Sequence, residues 1–214
     1  MTDFDRAALQ TELRAGAEKL DLQLSDQQIR QMLDYLALLR KWNAVYNLTA
    51  VRDPKDMIKQ HVLDSLSAAP AFSTAQRILD VGSGGGLPGV ILAIVYPQIQ
   101  VALIDTVSKK TAFLNQAKAE LGLTNLSVFS NRVEKLQVPE KFDVITSRAF
   151  SELKNFINWS AHLLQEGGRF LAMKGVYPSD EVTALPEGWQ VVASQELHVP
   201  GLEAERHLLI IQRV

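Results

Sequence analysis

Cysteine is absent from the 214 residues, which removes disulfides, thiolate metal sites and thiol nucleophiles together. Long apolar runs are missing too. The longest, VILAIVY at residues 90–96, falls far short of the ~20 residues that a bilayer-crossing helix needs. Neither charge sign dominates: 22 Lys and Arg stand against 24 Asp and Glu, for a formal net charge of −2. That balance argues against a chain that coats nucleic acid over its whole surface, and leaves a local basic patch open. The opening MTDFDRAALQ is acidic and polar, so no secretion signal is expected; we expect a cytoplasmic monomer with no membrane partner. Repeats, low-complexity tracts and flexible linkers are likewise missing. What is there is ordinary globular composition, 47% hydrophobic and 21% charged, enough to bury a sizeable core in one domain with a helical extension.

The pattern changes once along the chain. Residues 1–70 read as helices, forming an amino-terminal extension packed on a core formed by residues 71–214. SDQQIRQMLDYLALLRKW opens with Ser25 and carries Gln28 three places on, a capping-box signature. Ile29, Met32, Leu33, Leu36 and Leu39 then recur at helical spacing. A third helix is expected at Asp53, with Pro54 in its first turn. From Arg77 onward strands alternate with helices: strands are predicted at Arg77–Val81, 101–105, Leu126–Ser130, 142–146 and 169–173. The helix SELKNFINWSAHLLQ is expected to end at Gly167 and Gly168. Such alternation implies an α/β fold with a parallel sheet covered on both faces. WQVVASQELHV and RHLLIIQRV lack room for a helix between them and should close the sheet with an antiparallel hairpin.

The densest signal is DVGSGGGLPGV, with five glycines between Gly82 and Gly89, set between a strand and a helix. Backbone freed of side chains there lets a ligand approach closely. Two readings compete. Gly84, Gly86 and Gly89 satisfy the G-x-G-x-x-G dinucleotide fingerprint, with Asp105 lying 21 residues after Gly84. Asp80, Gly82, Gly84 and Gly86 also read D-x-G-x-G-x-G, which resembles the first motif of S-adenosylmethionine-dependent methyltransferases. Charge favours the second. A pyrophosphate wants amides without a carboxylate beside them, whereas S-adenosylmethionine carries an ammonium that Asp80 would attract and a ribose diol that Asp105 would accept from. Each aspartate has a plainer role as a cap on the turn that follows it.

Further absences bear on the acceptor. Pyrimidine carbon 5 usually needs a cysteine nucleophile, and exocyclic amines usually go with an N/D-P-P-Y/F loop after the fourth strand. That position here reads ITSRAF. A ring nitrogen with a free lone pair, such as guanine N7, needs neither, and catalysis reduces to orientation without a general base.

YNLTAVRDP, HVLDSL, LDVGSGGGLPGVILAI, LIDTVSKKTAFL, NRVEKL, FDVITSRAF and MKG together resemble the bacterial small-subunit ribosomal RNA guanine-N7 methyltransferase G family, also known as glucose-inhibited division protein B. The likeness spans about residues 43–175. It implies a Rossmann-like class I methyltransferase: a seven-stranded, mostly parallel sheet with a carboxyl-terminal antiparallel hairpin and an amino-terminal helical extension. It further implies methylation of one guanine in the decoding-region loop of 16S ribosomal RNA in the small ribosomal subunit, with S-adenosylmethionine as donor and no metal. The cofactor-binding set becomes Asp80, Gly82, Ser83, Gly84, Gly86, Leu87, Asp105, Val133, Glu134 and Arg148. Arg148, Lys174 and Arg132 are the candidates for orienting the RNA substrate.

Other groups carry alternatives. Lys109 and Lys110 oppose the dipole at a helix start, so RNA phosphate or plain solvation explains them. Arg40, Lys41, Arg52, Lys55 and Lys59 form a candidate phosphate-binding face. His61 and Asp64 suggest a metal site only weakly, and are expected instead to tie the extension to the glycine loop. Asn47 reads as a turn former, and Trp42 and Tyr46 as core aromatics. A methyltransferase for a small molecule or protein, or a non-catalytic binding module, would share every cofactor residue.

Overall fold

The computed structural model describes residues 4–214; Met1–Asp3, within the acidic opening, lie outside them. Helix α1 (Arg6–Lys19) starts on Asp5, whose carboxylate accepts from the Ala7 and Ala8 N–H groups. The expected capping box opens α2 (Asp26–Tyr46): Ser25 accepts from the Gln28 N–H, and the Gln28 side chain accepts in return. Asn47 stops the helix in a left-handed conformation, at φ 50°. The third helical segment begins at Asp53 and Pro54 as expected (α3, Pro54–Met57). It then widens into a π turn at Ile58–Leu63 before resuming as α4 (Asp64–Ala68). Such turns are frequent at functional sites.

Beyond it come β1 (Arg77–Val81), α5 (Gly89–Val95), β2 (Gln100–Asp105), α6 (Ser108–Leu121), β3 (Leu126–Ser130) and β4 (Phe142–Arg148). The chain continues through α7 (Leu153–Ser160), β5 (Leu164–Lys174), α8 (Ser179–Thr183), β6 (Trp189–Glu196) and β7 (His207–Arg213). The sheet order is β3-β2-β1-β4-β5-β7-β6, parallel except for β7, which runs antiparallel to both β5 and β6. This is the α/β architecture with a terminal hairpin expected from the sequence.

Two boundaries differ. The helix expected to reach Gly167 stops at Ser160, whose hydroxyl donates back to the Phe156 carbonyl. A 3-10 turn at Ala161–Leu163 follows and the sheet begins at Leu164: Leu163 and Leu164 are buried, and Gly168 lies inside β5, where a Cβ would come within 3.0 Å of the Asp143 carbonyl. The hairpin connection is not short either, running through residues 197–206.

Alternation along the strands divides the core. Ile78 and Leu103 face a cluster that holds α5, α6 and Leu13, Leu33, Leu36 and Leu39 of the amino-terminal helices; Leu79, Ile145 and Phe170 face α7. The first helices therefore share one core with the sheet. They also cap it: Gln28 donates to the Ile94 and Val95 carbonyls at 3.1 and 3.0 Å, and Gln31 to Leu121 at 2.8 Å. Those are carbonyls that helix ends leave without partners.

Candidate active site

The carboxyl ends of β1, β2, β4 and β5 converge where such sheets place their ligands. The glycine loop leaves β1 with Gly82, Gly84 and Gly86 at φ 68°, 57° and 94°, a region that costs other residues about 1–2 kcal/mol. The glycines are not all explained by a ligand. A Cβ on Gly82 would overlap Phe150, one on Gly86 would meet Val90 and Leu114, and one on Gly89 would overlap Leu103 and lie 2.8 Å from Asp80 Oδ2. At Gly84 alone of this set does the added atom meet nothing tighter than ordinary contact, its nearest neighbour being the Gly82 carbonyl at 3.8 Å. Gly84 lines a cavity.

Asp80 lies beneath the loop. It is fully buried and lines neither cavity; Oδ2 accepts from the Gly89 N–H at 2.9 Å, and Oδ1 has no partner among the described residues. Burial pushes its carboxyl up to about 7, with Asp105 adding to the rise and the Gly89 N–H and Arg148 opposing it. Ser83 locks the same turn, donating to the Asp80 carbonyl at 2.7 Å and accepting from the Ile104 N–H at 3.2 Å. Tyr35 of α2 donates to the Gly85 carbonyl at 2.6 Å. The link between extension and glycine loop is therefore Tyr35, rather than the His61–Asp64 pair expected from the sequence.

Two cavities meet here, of about 560 and about 430 Å³, with Gly82, Lys110 and Ala149 lining both. Ala149 itself holds a left-handed φ of 53°, the kind of strain that tends to gather at functional sites. The smaller cavity is lined by Asp105, Val133, Glu134 and Arg132, with the rings of Phe150 and Trp159 alongside. Asp105 ends β2: Oδ2 accepts from the Gly84 N–H at 3.0 Å, Oδ1 from the Val107 N–H at 2.9 Å, and Lys110 Nζ stands 3.7 Å away. That pairing gives Lys110 a role at its helix start which the sequence left open.

The larger cavity takes Ser83, Gly84 and Leu87 from the loop, Arg148 and Lys174 from β4 and β5, and Thr49, Gln60, His61 and Asp64 from the extension. Arg148 Nη1 donates to the Gln60 carbonyl at 2.8 Å and to Asp64 Oδ2 at 2.9 Å. Arg206 Nε donates to Asp64 Oδ1 at 2.8 Å. Lys174 Nζ donates to Glu181 at 2.7 Å and to the Ser151 carbonyl at 3.1 Å. His61 Nε2 lies 2.9 Å from the Thr49 hydroxyl. Burial, with Arg148 beside it, pushes the imidazole down to about 4, and it is neutral near pH 7.

The candidate residues are thus divided. Arg148 and Lys174 share the larger cavity, whereas Arg132 lies in the smaller one with Val133 and Glu134. Gly86 and Asp80 support the loop from below. In the suggested basic face, Lys59 pairs with Glu12 at 3.7 Å and Arg52 donates to Asn47 at 3.0 Å. Trp42 packs on Phe113 and donates to Gln116. Sequence reasoning missed Arg206, Thr49 and Gln60; Arg206 sits in an acidic loop with no motif around it. No group of three or more His, Asp or Glu able to hold a metal occurs among the described residues, and none of their helices is long and apolar enough to cross a membrane.

A family model described as GidB, rRNA small subunit methyltransferase G, matches residues 28–209. A protein of Janthinobacterium sp. (strain Marseille) named ribosomal RNA small subunit methyltransferase G is 58% identical, covering 100% of this chain and 99% of its own length. One of the same name from Herminiimonas arsenicoxydans is 60% identical, covering 100% of both chains. Among solved structures, the N-methyltransferase NodS from Bradyrhizobium japonicum WM9 in complex with S-adenosyl-L-homocysteine aligns with TM-score 0.56 at 14% identity, over 84% of this chain and 97% of that one. A putative O-methyltransferase from Klebsiella pneumoniae aligns with TM-score 0.57 at 13% identity, over 84% and 89%. At such identities the likeness is one of fold: the class I S-adenosylmethionine-dependent methyltransferase sheet.

Proposed function

The chain belongs to the rRNA small subunit methyltransferase G family, and on that premise we propose that it methylates N7 of one guanine in the decoding-region loop of 16S ribosomal RNA, acting on the small ribosomal subunit. The observation that carries the reading is a crevice of two cavities that share Gly82, Lys110 and Ala149 at the strand ends. Asp105 and Glu134 line one together with Arg132; Arg148, Lys174 and Arg206 line the other around Asp64.

The residues present fit S-adenosylmethionine. An atom added at Gly84 would meet nothing tighter than ordinary contact, and Asp105 sits at a strand end with both oxygens already fixed by backbone amides. In this reading Asp105 accepts from the ribose hydroxyls, Val133 and Glu134 flank the adenine edge, and Gly82, Ser83, Gly84 and Leu87 line the methionine half. Asp80 acts from behind the loop. When bound, the cofactor supplies a methyl group on a positively charged sulfur.

The chain's own task is then alignment. Arg148, Lys174 and Arg206 hold the acceptor side so that the N7 lone pair lies in line with the methyl–sulfur bond. The bound donor would give up its methyl to that lone pair and leave as a neutral thioether, with the positive charge passing to the base. N7 carries no proton to remove, so no side chain need act as a base. His61, held neutral beside Arg148, is not asked to be one.

The test uses small subunits from cells lacking the protein, incubated with purified protein and labelled S-adenosylmethionine. N7-methylguanine is then mapped by reduction and chain scission. Scission at one decoding-loop guanine, only after incubation, is expected. Label at another position, or in protein alone, would overturn the reading.

A further inference from the structure

Asp64 stands at the junction of three parts of the chain. It is 1% exposed at the wall of the larger cavity, and both of its oxygens are already bonded. Its two oxygens are divided between arginines: Oδ2 takes Arg148 from the end of β4, and Oδ1 takes Arg206 from the loop before β7. Those arginines are 23% and 26% exposed in their side chains and both line the larger cavity. Each guanidinium has five N–H donors. Arg148 commits Nη1 to Asp64 and the Gln60 carbonyl, and Arg206 commits Nε to Asp64 and Nη1 to the Glu205 carbonyl. The Nη2 groups of both have no partner among the described residues. Of the other titratable groups around this cluster, His61 is neutral near pH 7 and bonded to Thr49, Asp80 lies behind the loop with its carboxyl pushed up to about 7 by burial, and Lys110 and Lys174 line the same cavity beside Asp105 and Glu181.

We propose that Asp64 is a positioning residue that sets the Arg148 and Arg206 guanidiniums in register, so that Arg148 meets the carboxylate of the cofactor while Arg206 meets an RNA phosphate next to the target base. This rests on the functional reading above. One carboxylate against two cations leaves a net positive charge facing the cavity, held by a buried group whose two oxygens are each committed to one arginine. Planar guanidiniums bind carboxylate and phosphate bidentately only when their orientation is fixed. Asp64 supplies that orientation for both at once, so cofactor and RNA affinity pass through a single side chain.

The test compares Asp64→Asn, Arg206→Gln and the double variant with wild type. Calorimetry gives Kd for S-adenosylhomocysteine, kinetics on small subunits give kcat/KM, and thermal melting tracks the fold. For Asp64→Asn, Kd is expected to rise about tenfold, with kcat/KM falling by about two orders of magnitude. For Arg206→Gln, kcat/KM is expected to fall by about tenfold with Kd unchanged, because that arginine serves the RNA side. The double variant is expected to lose no more kcat/KM than Asp64→Asn, since groups acting as one unit are not additive. A melting temperature that drops while the folded variant binds and methylates like wild type would make Asp64 a structural staple and overturn the proposal; so would additive losses. If Asp64→Asn does not fold, Arg206→Gln decides: a fall in kcat/KM with Kd kept supports the proposal, and an unchanged kcat/KM overturns it. Wild type failing on small subunits would instead defeat the functional reading, and the Kd of Asp64→Asn would still judge the cofactor half of the proposal.

Discussion

Replacing Gly89 with alanine sets two physical rules against each other. Gly89 is the first residue of α5, and a glycine-to-alanine change in a helix ordinarily stabilises by about 0.5–1 kcal/mol. Here the new methyl would overlap Leu103 Cδ2 and stand 2.8 Å from Asp80 Oδ2 and 3.1 Å from Asp80 Cβ. All three residues are buried, and both neighbours lie in central strands. Overpacking of this kind costs about 1–3 kcal/mol. Moving α5 outward also lengthens the 2.9 Å bond from the Gly89 N–H to Asp80, worth about another 1 kcal/mol. Packing wins: a net loss of about 1–3 kcal/mol is expected, or roughly 2–12 °C in melting temperature for a chain of this size. Urea and thermal unfolding measure it directly. A variant as stable as wild type, or more so, would refute the view that Gly89 is there for close packing.

Gly84→Ala should behave oppositely: its left-handed backbone costs about 1 kcal/mol of stability, but the methyl enters the cavity, and calorimetry should find S-adenosylhomocysteine binding impaired out of proportion. Equal losses at Gly84 and Gly89 would remove the distinction. Tyr35→Phe deletes the 2.6 Å bond to the Gly85 carbonyl and is expected to lower stability by about 1 kcal/mol, read by urea unfolding, with weaker cofactor binding as the loop loosens. The pH dependence separates two buried groups of opposite sign. The His61 pKa is lowered from 6.5 to about 4, so its contribution is full above 6.5 and is lost as pH falls towards 4, on the order of 3 kcal/mol. The Asp80 pKa is raised from 3.8 to about 7, so its contribution is full below 3.8 and is lost as pH rises through 7, by a similar amount. The two oppose each other between pH 4 and 6.5. Unfolding across that window should therefore slope downward with pH in His61→Gln and upward in Asp80→Asn; slopes of one sign in both would refute the assignment.

Much of this protein is written in neighbours close along the chain. The capping box at Ser25 and Gln28, the start at Asp53 and Pro54, the strand alternation and the glycine loop all rest on spacings of a few residues, and each appears where those spacings put it. Family motifs pointed to the glycine loop, Asp105 and the 133–134 pair, positions that follow strand ends in order and that line the two cavities. Tertiary structure decided the rest. Asp64 and Arg206 are 142 residues apart, and no local pattern pairs them; the start of α4 and the loop before β7 meet only once β7 inserts beside β5. It also divided the glycines: Phe150, Leu114 and Leu103 set the limits at Gly82, Gly86 and Gly89, whereas an added atom at Gly84 would meet nothing nearer than the Gly82 carbonyl at 3.8 Å. Backbone propensity acts over one turn of helix, whereas which side chain overlaps which is settled when distant segments are pressed into a common core.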